Sequence, residues 1–191
     1  MSVYELILKR RTIRKFKPEP VPEEVLNKLV NAACLAPSGA NLQPLEIIIV
    51  TNTELVNKVF PTLKWAGYIA PTGNPPEGRR PMAYLIVLIN TEIKPKNGEV
   101  DAAAAIENMI LTALENGIGS CWLGSIDKEQ IRTVFRIPQK YSIDSVLALG
   151  YPDESPVVED AEDSIKYWKD EQGVLHVPKR KLSDIVHYNR F

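Results

Sequence analysis

A single domain that mixes helices with a short-stranded sheet is what this sequence predicts, on three observations. Apolar runs of strand length stand at Leu45 to Thr51, Ala83 to Asn90 and Ser145 to Gly150. Between them lie segments whose apolar residues recur every three or four positions, which is the helical period. The 191 residues, 45% apolar and 25% charged, also suffice for one genuine core. No apolar run approaches the length of a membrane span. Glu5, Lys9, Arg10 and Arg11 break up the N-terminus, so no secretory leader is expected either. Cys34 and Cys121 do not form a C-x-x-C pair, which suits a reducing cytoplasm, the expected location.

Each element has its own signal. Ser2-Val3-Tyr4-Glu5 reads as a capping box opening a short helix that carries Leu6 and Leu8. Pro18, Pro20 and Pro22 then impose an extended connection. Pro22 suits the first turn of the next helix, whose apolar face is Val25, Leu26, Leu29, Val30, Ala33 and Cys34; Pro37 closes it. After the first strand a helix begins near Thr53 with Leu55, Val56 and Val59. Residues 61–82 crowd five prolines and three glycines around Trp65 and Tyr68, a long ordered loop that serves either as a lid or as a packing flap. Beyond the second strand, Asp101 is expected to cap a helix from Ala102 to Asn116. That helix is apolar nearly all round in its first half, hence buried centrally or at an interface, and Gly117 ends it. Cys121 to Gly124 form a strand or turn, and Asp127 caps a helix with Ile131, Val134 and Phe135. After Pro152 the chain turns charged yet keeps aromatic and aliphatic residues, so it reads as an extended arm seeking another surface and not as disorder.

Much chemistry is excluded. The two histidines, His176 and His187, both lie in the arm, and no G-x-S-x-G elbow exists, which argues against a Ser-His or Cys-His nucleophile. Cys34, Cys121, His176 and His187 lack the paired short spacings of a zinc site. No Walker loop is present. Gly117-Ile118-Gly119-Ser120 lacks a third glycine and follows a helix, so it fails as a dinucleotide turn. Acidic pairs such as Glu23-Glu24 read as helix-terminal charge.

Two segments remain. Between Lys9 and Lys17 six of nine residues are basic, in a chain whose net charge is −1. This cluster reads as a solvated helix end, as a nucleic-acid patch short of stacking aromatics, or as an organic-phosphate site. For the last, Arg10 and Arg14 would share one face of a helical turn, with Thr12 able to turn in from a fraying end. The second segment, Ala36-Pro37-Ser38-Gly39-Ala40-Asn41-Leu42-Gln43-Pro44, offers backbone donors at Ser38 and Gly39. Asn41 and Gln43 each add a donor and an acceptor for the edge of a heterocycle. Taken alone, it is equally an ordinary turn.

Arg10-Arg11-Thr12-Ile13-Arg14-Lys15-Phe16 followed by Ala36 to Pro44 resembles the nitroreductase-like family of FMN-dependent oxidoreductases. The likeness continues through Glu107 to Ala113, Gly117 to Gly124 and Leu149 to Pro152. The resemblance implies an α+β fold with a central, mainly antiparallel sheet flanked by helices. It implies a core over 1–152, with the Pro/Gly-rich lid at 61–82, and an arm over 153–191 that wraps a second copy in a homodimer. FMN would lie at the subunit interface. Arg10, Arg11 and Thr12 would hold its phosphate and ribityl chain, Arg14 its pyrimidine edge, and Trp122, Leu123 and Gly124 its other side. Pro37, Ser38, Gly39, Asn41 and Gln43 would come from the other subunit, and Arg180, or failing it Lys179, would complete the phosphate site. The implied reaction is ping-pong, from NADH or NADPH through FMN to a small electrophilic acceptor such as a nitroaromatic or quinone. Neither nucleic acid nor membrane is an expected partner. A flavin-destructase or dehalogenase relative, a peptide-heterocycle oxidase and a non-catalytic flavin-binding protein are the neighbouring readings. A nucleic-acid-binding module is the remote one.

Overall fold

Eight consecutive apolar or aromatic residues bounded by turns make the most buried strand. In the computed structural model, which describes residues 1–191, β2 (Ala83–Asn90) is buried along its whole length. It pairs antiparallel with β1 (Leu45–Val50) on one side and β4 (Tyr141–Gly150) on the other, and β4 carries β3 (Gly119–Leu123) at the far edge. The central sheet is therefore wholly antiparallel, in the order β1-β2-β4-β3, with one register irregularity at Val87/Leu88.

Side chains alternate across a strand, and the sheet separates two cores on that basis. Ala83, Leu85, Val87, Ile89, Leu147 and Leu149 face α2 (Glu23–Cys34) and α4 (Gly98–Glu115). Tyr84, Ile86, Leu88, Cys121, Val146 and Ala148 face α3 (Thr53–Val59), α5 (Lys128–Phe135) and the start of the long loop. This is the expected α+β arrangement. On α2 the buried positions are Leu26, Leu29 and Ala33, while Cys34 is exposed.

Local signals placed most helix ends. Ser2 and Glu5 form the capping box of α1 (Val3–Lys9), with Ser2 Oγ accepting from the Glu5 N–H at 3.2 Å and Glu5 accepting from the Ser2 N–H at 2.6 Å. Asn52 and Asp127 cap α3 and α5. The expectation for Asp101 fails: α4 begins at Gly98, so Asp101 lies a turn inside it and is buried. Gly98 explains the early start, because a Cβ there would sit 2.5 Å from Ile89 Cγ2 and only glycine admits that approach. The third strand likewise starts four residues before the predicted Ser145, at Tyr141.

The loop at 61–82 has two parts. Leu63, Trp65 and Ala66 are buried in the second core, so the first part is a packing flap. The second part meets the C-terminal residues, with Tyr68 and Tyr167 rings 4.9 Å apart and Lys169 Nζ donating to the Thr72 carbonyl at 2.8 Å.

Residues after 152 make a small second sheet, β5 (Val157–Asp160), β6 (Trp168–Lys169) and β7 (Leu175–Lys179), in the order β5-β7-β6. His176 ties it together: Nδ1 lies 2.8 Å from Glu159, Nε2 3.2 Å from Asp170, and the ring stacks on Trp168. The hydrogen bond to Glu159, reinforced by Asp170, raises the His176 pKa against the opposing effect of burial. Leu182, Ile185, Tyr188 and Phe191 beyond it are all exposed. No helix is long and apolar enough to cross a membrane.

Candidate functional site

The basic segment is extended, not helical. α1 stops at Lys9, Arg10 is its C-cap, and Thr12 forms a parallel bridge with Ser120 at the free edge of β3. The proposed helical face shared by Arg10 and Arg14 does not exist. Two buried residues between and beyond them explain why. Ile13 packs on Gly119, where a Cβ would come within 2.9 Å of it, and Phe16 packs on Gly150 at the same limit. These two glycines let the segment lie flat on the sheet edge. Hydrogen bonds from Ile13 N–H to Ser120 O (2.9 Å), Phe16 N–H to Arg79 O (3.0 Å) and Lys17 N–H to Tyr151 O (2.9 Å) fasten it.

Held this way, the cations lack anions. None of Lys9, Arg10, Arg11, Arg14, Lys15 and Lys17 forms an ion pair with a carboxylate. The nearby Glu154 carboxylate instead accepts from the backbone N–H groups of Arg14 (2.5 Å) and Lys15 (3.2 Å). Arg11 donates to the Arg10 carbonyl, and burial together with the Arg10 charge lowers its pKa. Arg14 Nε is buried without a partner, its guanidinium 5.2 Å from the Tyr167 ring. A recess of about 280 Å³ opens beside Arg10, Arg11, Ser120 and Ile110.

Trp122, Leu123 and Gly124 end β3 nearby. Trp122 is partly exposed with its indole N–H donated to Ser145 Oγ (2.8 Å), Leu123 is buried and Gly124 is open. Burial pushes the Cys121 thiol up to about 12, which leaves it an inert core residue. Lys179 ends β7. Arg180, whose guanidinium donates to the Asp184 carbonyl at 2.5 Å, lines a different recess with Tyr68 and Lys166.

The second segment forms a tight turn ahead of β1. Ala40, Asn41 and Gln43 all adopt left-handed backbone angles, with φ of 52, 54 and 50°. Ser38 Oγ accepts from the Gln43 N–H (3.0 Å) and donates to Asp101 Oδ2 (3.0 Å), while the Gly39 N–H donates to Asp101 Oδ1 (3.2 Å). Pro37, Ser38 and Gln43 border a cavity of about 310 Å³ against α2 and β1.

Within one chain the two segments do not meet. The turn touches α4 at Asp101 and the basic recess reaches it at Ile110, nine residues on, or about 14 Å of helical rise. Across the sheet, β1 and β3 are the two outer strands, three spacings or roughly 14 Å apart. Sequence reasoning missed Glu154, Lys94 and Asp101 as supports of these segments. The glycine cradles at 119 and 150 were visible only as residues of motifs.

A model of the Nitroreductase family matches residues 7–151. A protein of Methanothermobacter thermautotrophicus, provisionally named an NADH dehydrogenase/NAD(P)H nitroreductase, is 32% identical over 84% of this chain and 82% of its own. One of the same provisional name from Archaeoglobus fulgidus is 30% identical over 83% and 90%. Among solved structures, an FMN-dependent nitroreductase of Clostridium difficile superposes with a TM-score of 0.69 at 28% identity, covering 97% of this chain and 98% of that one. A Parabacteroides distasonis structure, also provisionally named an NADH dehydrogenase/NAD(P)H nitroreductase, reaches 0.75 at 25% identity, with 99% and 98% covered. Given the extent of the family match and of the two relatives at 30% or more, the chain belongs to the nitroreductase family.

Proposed function

We propose that this chain is an FMN-dependent oxidoreductase that takes hydride from NADH or NADPH and passes electrons to a small electrophilic acceptor such as a nitroaromatic or quinone. The observation that carries this reading is the row of unpaired cations fastened to the β3 edge. A cluster of cations left without carboxylates is suited to an anion supplied from outside. The donor set fits FMN: clustered guanidinium groups and the Thr12 hydroxyl for a phosphate and ribityl chain, and an orphaned, buried Arg14 Nε for a carbonyl-bearing ring.

In the proposed assignment Arg10, Arg11 and Thr12 bind the phosphate end, and Arg14 places its positive charge beside the pyrimidine edge. Trp122, Leu123 and Gly124 flank the opposite end, their backbone held by pairing with β4. Pro37, Ser38, Gly39, Asn41 and Gln43 act from a second copy, because one chain keeps them too far from its own cations. The separation of about 14 Å supports this. The residues 153–191 would lie over that second copy, where Lys179 or Arg180 closes the phosphate end. Bound there, the flavin supplies the two-electron chemistry, and the protein supplies orientation, charge and exclusion of water. No side chain is then needed as nucleophile, in keeping with the buried Cys121 and the arm-bound His176.

The test is optical. The purified protein should be yellow, or become so with FMN, and anaerobic NADH or NADPH should bleach the flavin absorption. A protein that takes up no FMN contradicts the reading; one that binds it but is not reduced by either nicotinamide is a flavin-binding protein without this activity.

A further inference from the structure

We infer that Asp101 is the positioning residue that presets the Ser38–Gln43 turn for its ligand, with Lys94 as its counter-ion. The inference rests on the turn being part of the flavin site and adds the device that shapes it.

Asp101 is a buried carboxylate on the inner side of α4, far from any helix cap. Its Oδ1 accepts from the Gly39 N–H and from Lys94 Nζ (2.8 Å). Its Oδ2 accepts from Ser38 Oγ and again from Lys94 Nζ (2.7 Å). Ser38 Oγ in turn accepts from the Gln43 N–H, so one carboxylate clasps the start of the turn directly and its end through a hydroxyl. The turn needs a clasp, because Ala40, Asn41 and Gln43 hold backbone angles that residues with a side chain disfavour. Lys94 lies directly beneath: a Cβ on Gly39 would meet its Nζ at 2.8 Å. Burial opposes ionisation of Asp101, but the bonds from Lys94, Gly39 and Ser38 prevail and lower its pKa.

A role in scaffolding alone accounts poorly for this pair. α4 already packs on α2 through Ala102, Ala105, Ile106 and Met109, and buried ion pairs are often replaceable by neutral groups without loss of stability. An acceptor-only carboxylate is what the turn requires. Asparagine keeps the size, but its amide nitrogen cannot accept the Ser38 hydrogen while Ser38 Oγ still accepts from Gln43.

The experiment compares Asp101→Asn with the charge-balanced double variant Asp101→Asn, Lys94→Met. FMN affinity is read by quenching of flavin fluorescence, stability by thermal unfolding, and the turn by hydrogen exchange at the Gly39 and Gln43 amides in flavin-free protein. The single variant is expected to lose both stability and affinity. The double variant should regain the midpoint of unfolding while its FMN dissociation constant stays raised about tenfold. Both should exchange Gly39 and Gln43 faster than the parent. Recovery of affinity together with stability, or unchanged protection of both amides, overturns the inference. If the single variant does not fold, the double variant decides. Should the parent protein bind no FMN, the flavin reading fails, and the exchange measurement still tests the clasp.

Discussion

Replacing Arg10 and Arg14 together with Ala is expected to abolish retention of FMN through purification while the protein still folds. Both side chains lack ion-pair partners, and the Arg14 Nε lacks any partner, so little within the chain depends on their charge. The segment is held instead by Ile13, Phe16 and backbone hydrogen bonds, all of which the double variant keeps. The effect on FMN should be large. Removing two charge-assisted hydrogen bonds to a ligand lowers its affinity on the order of 10²–10⁴-fold. Flavin absorbance per chain after gel filtration measures this directly, and unchanged retention would refute the roles given to these residues.

The largest effect on stability is expected at Phe16. Its ring is fully buried against Gly150, and its N–H bonds to Arg79, so it is the pin that latches the basic segment to the β4 end of the sheet. Phe16→Ala should cost about 3–5 kcal/mol in denaturant-induced unfolding. It should also weaken FMN binding, since the cations on either side lose their fixed backbone. A loss below about 1 kcal/mol would show that neighbouring side chains collapse into the space and that the segment has other anchors.

The comparison of Phe16 with Arg14 shows where the sequence was legible. Hydrophobic runs placed β1 and β2 almost to the residue, and Ser2, Asp127 and Gly117 signalled helix ends through bonds that need only near neighbours. The basic segment was recognised as functional, but its shape was misjudged. Helical spacing of Arg10 and Arg14 is a local signal, and it yields to Ile13 and Phe16 reaching glycines more than a hundred residues away. Asp101 was misassigned for a similar reason. An acidic residue ahead of an alanine run looks like a cap, while its actual partners, Lys94, Ser38 and Gly39, come from a connection and a turn that only the folded chain brings together. The long loop could be read as either lid or flap because composition does not say which of its aromatics is buried. Trp65 is, and Tyr68 is not.

The central claim is that one flavin site is built from two chains, the cations of one and the turn of the other. Mixed dimers test it most directly. One chain carries Arg10→Ala and Arg14→Ala; the other carries Ser38→Ala and Asn41→Ala in the turn. In a mixed dimer one site collects both defects and the other none. The account predicts that each variant alone retains no FMN, while the separated mixed dimer binds one FMN per two chains with the affinity of the parent protein. A mixed dimer that binds none, or parent protein that binds FMN fully as a monomer, would contradict it.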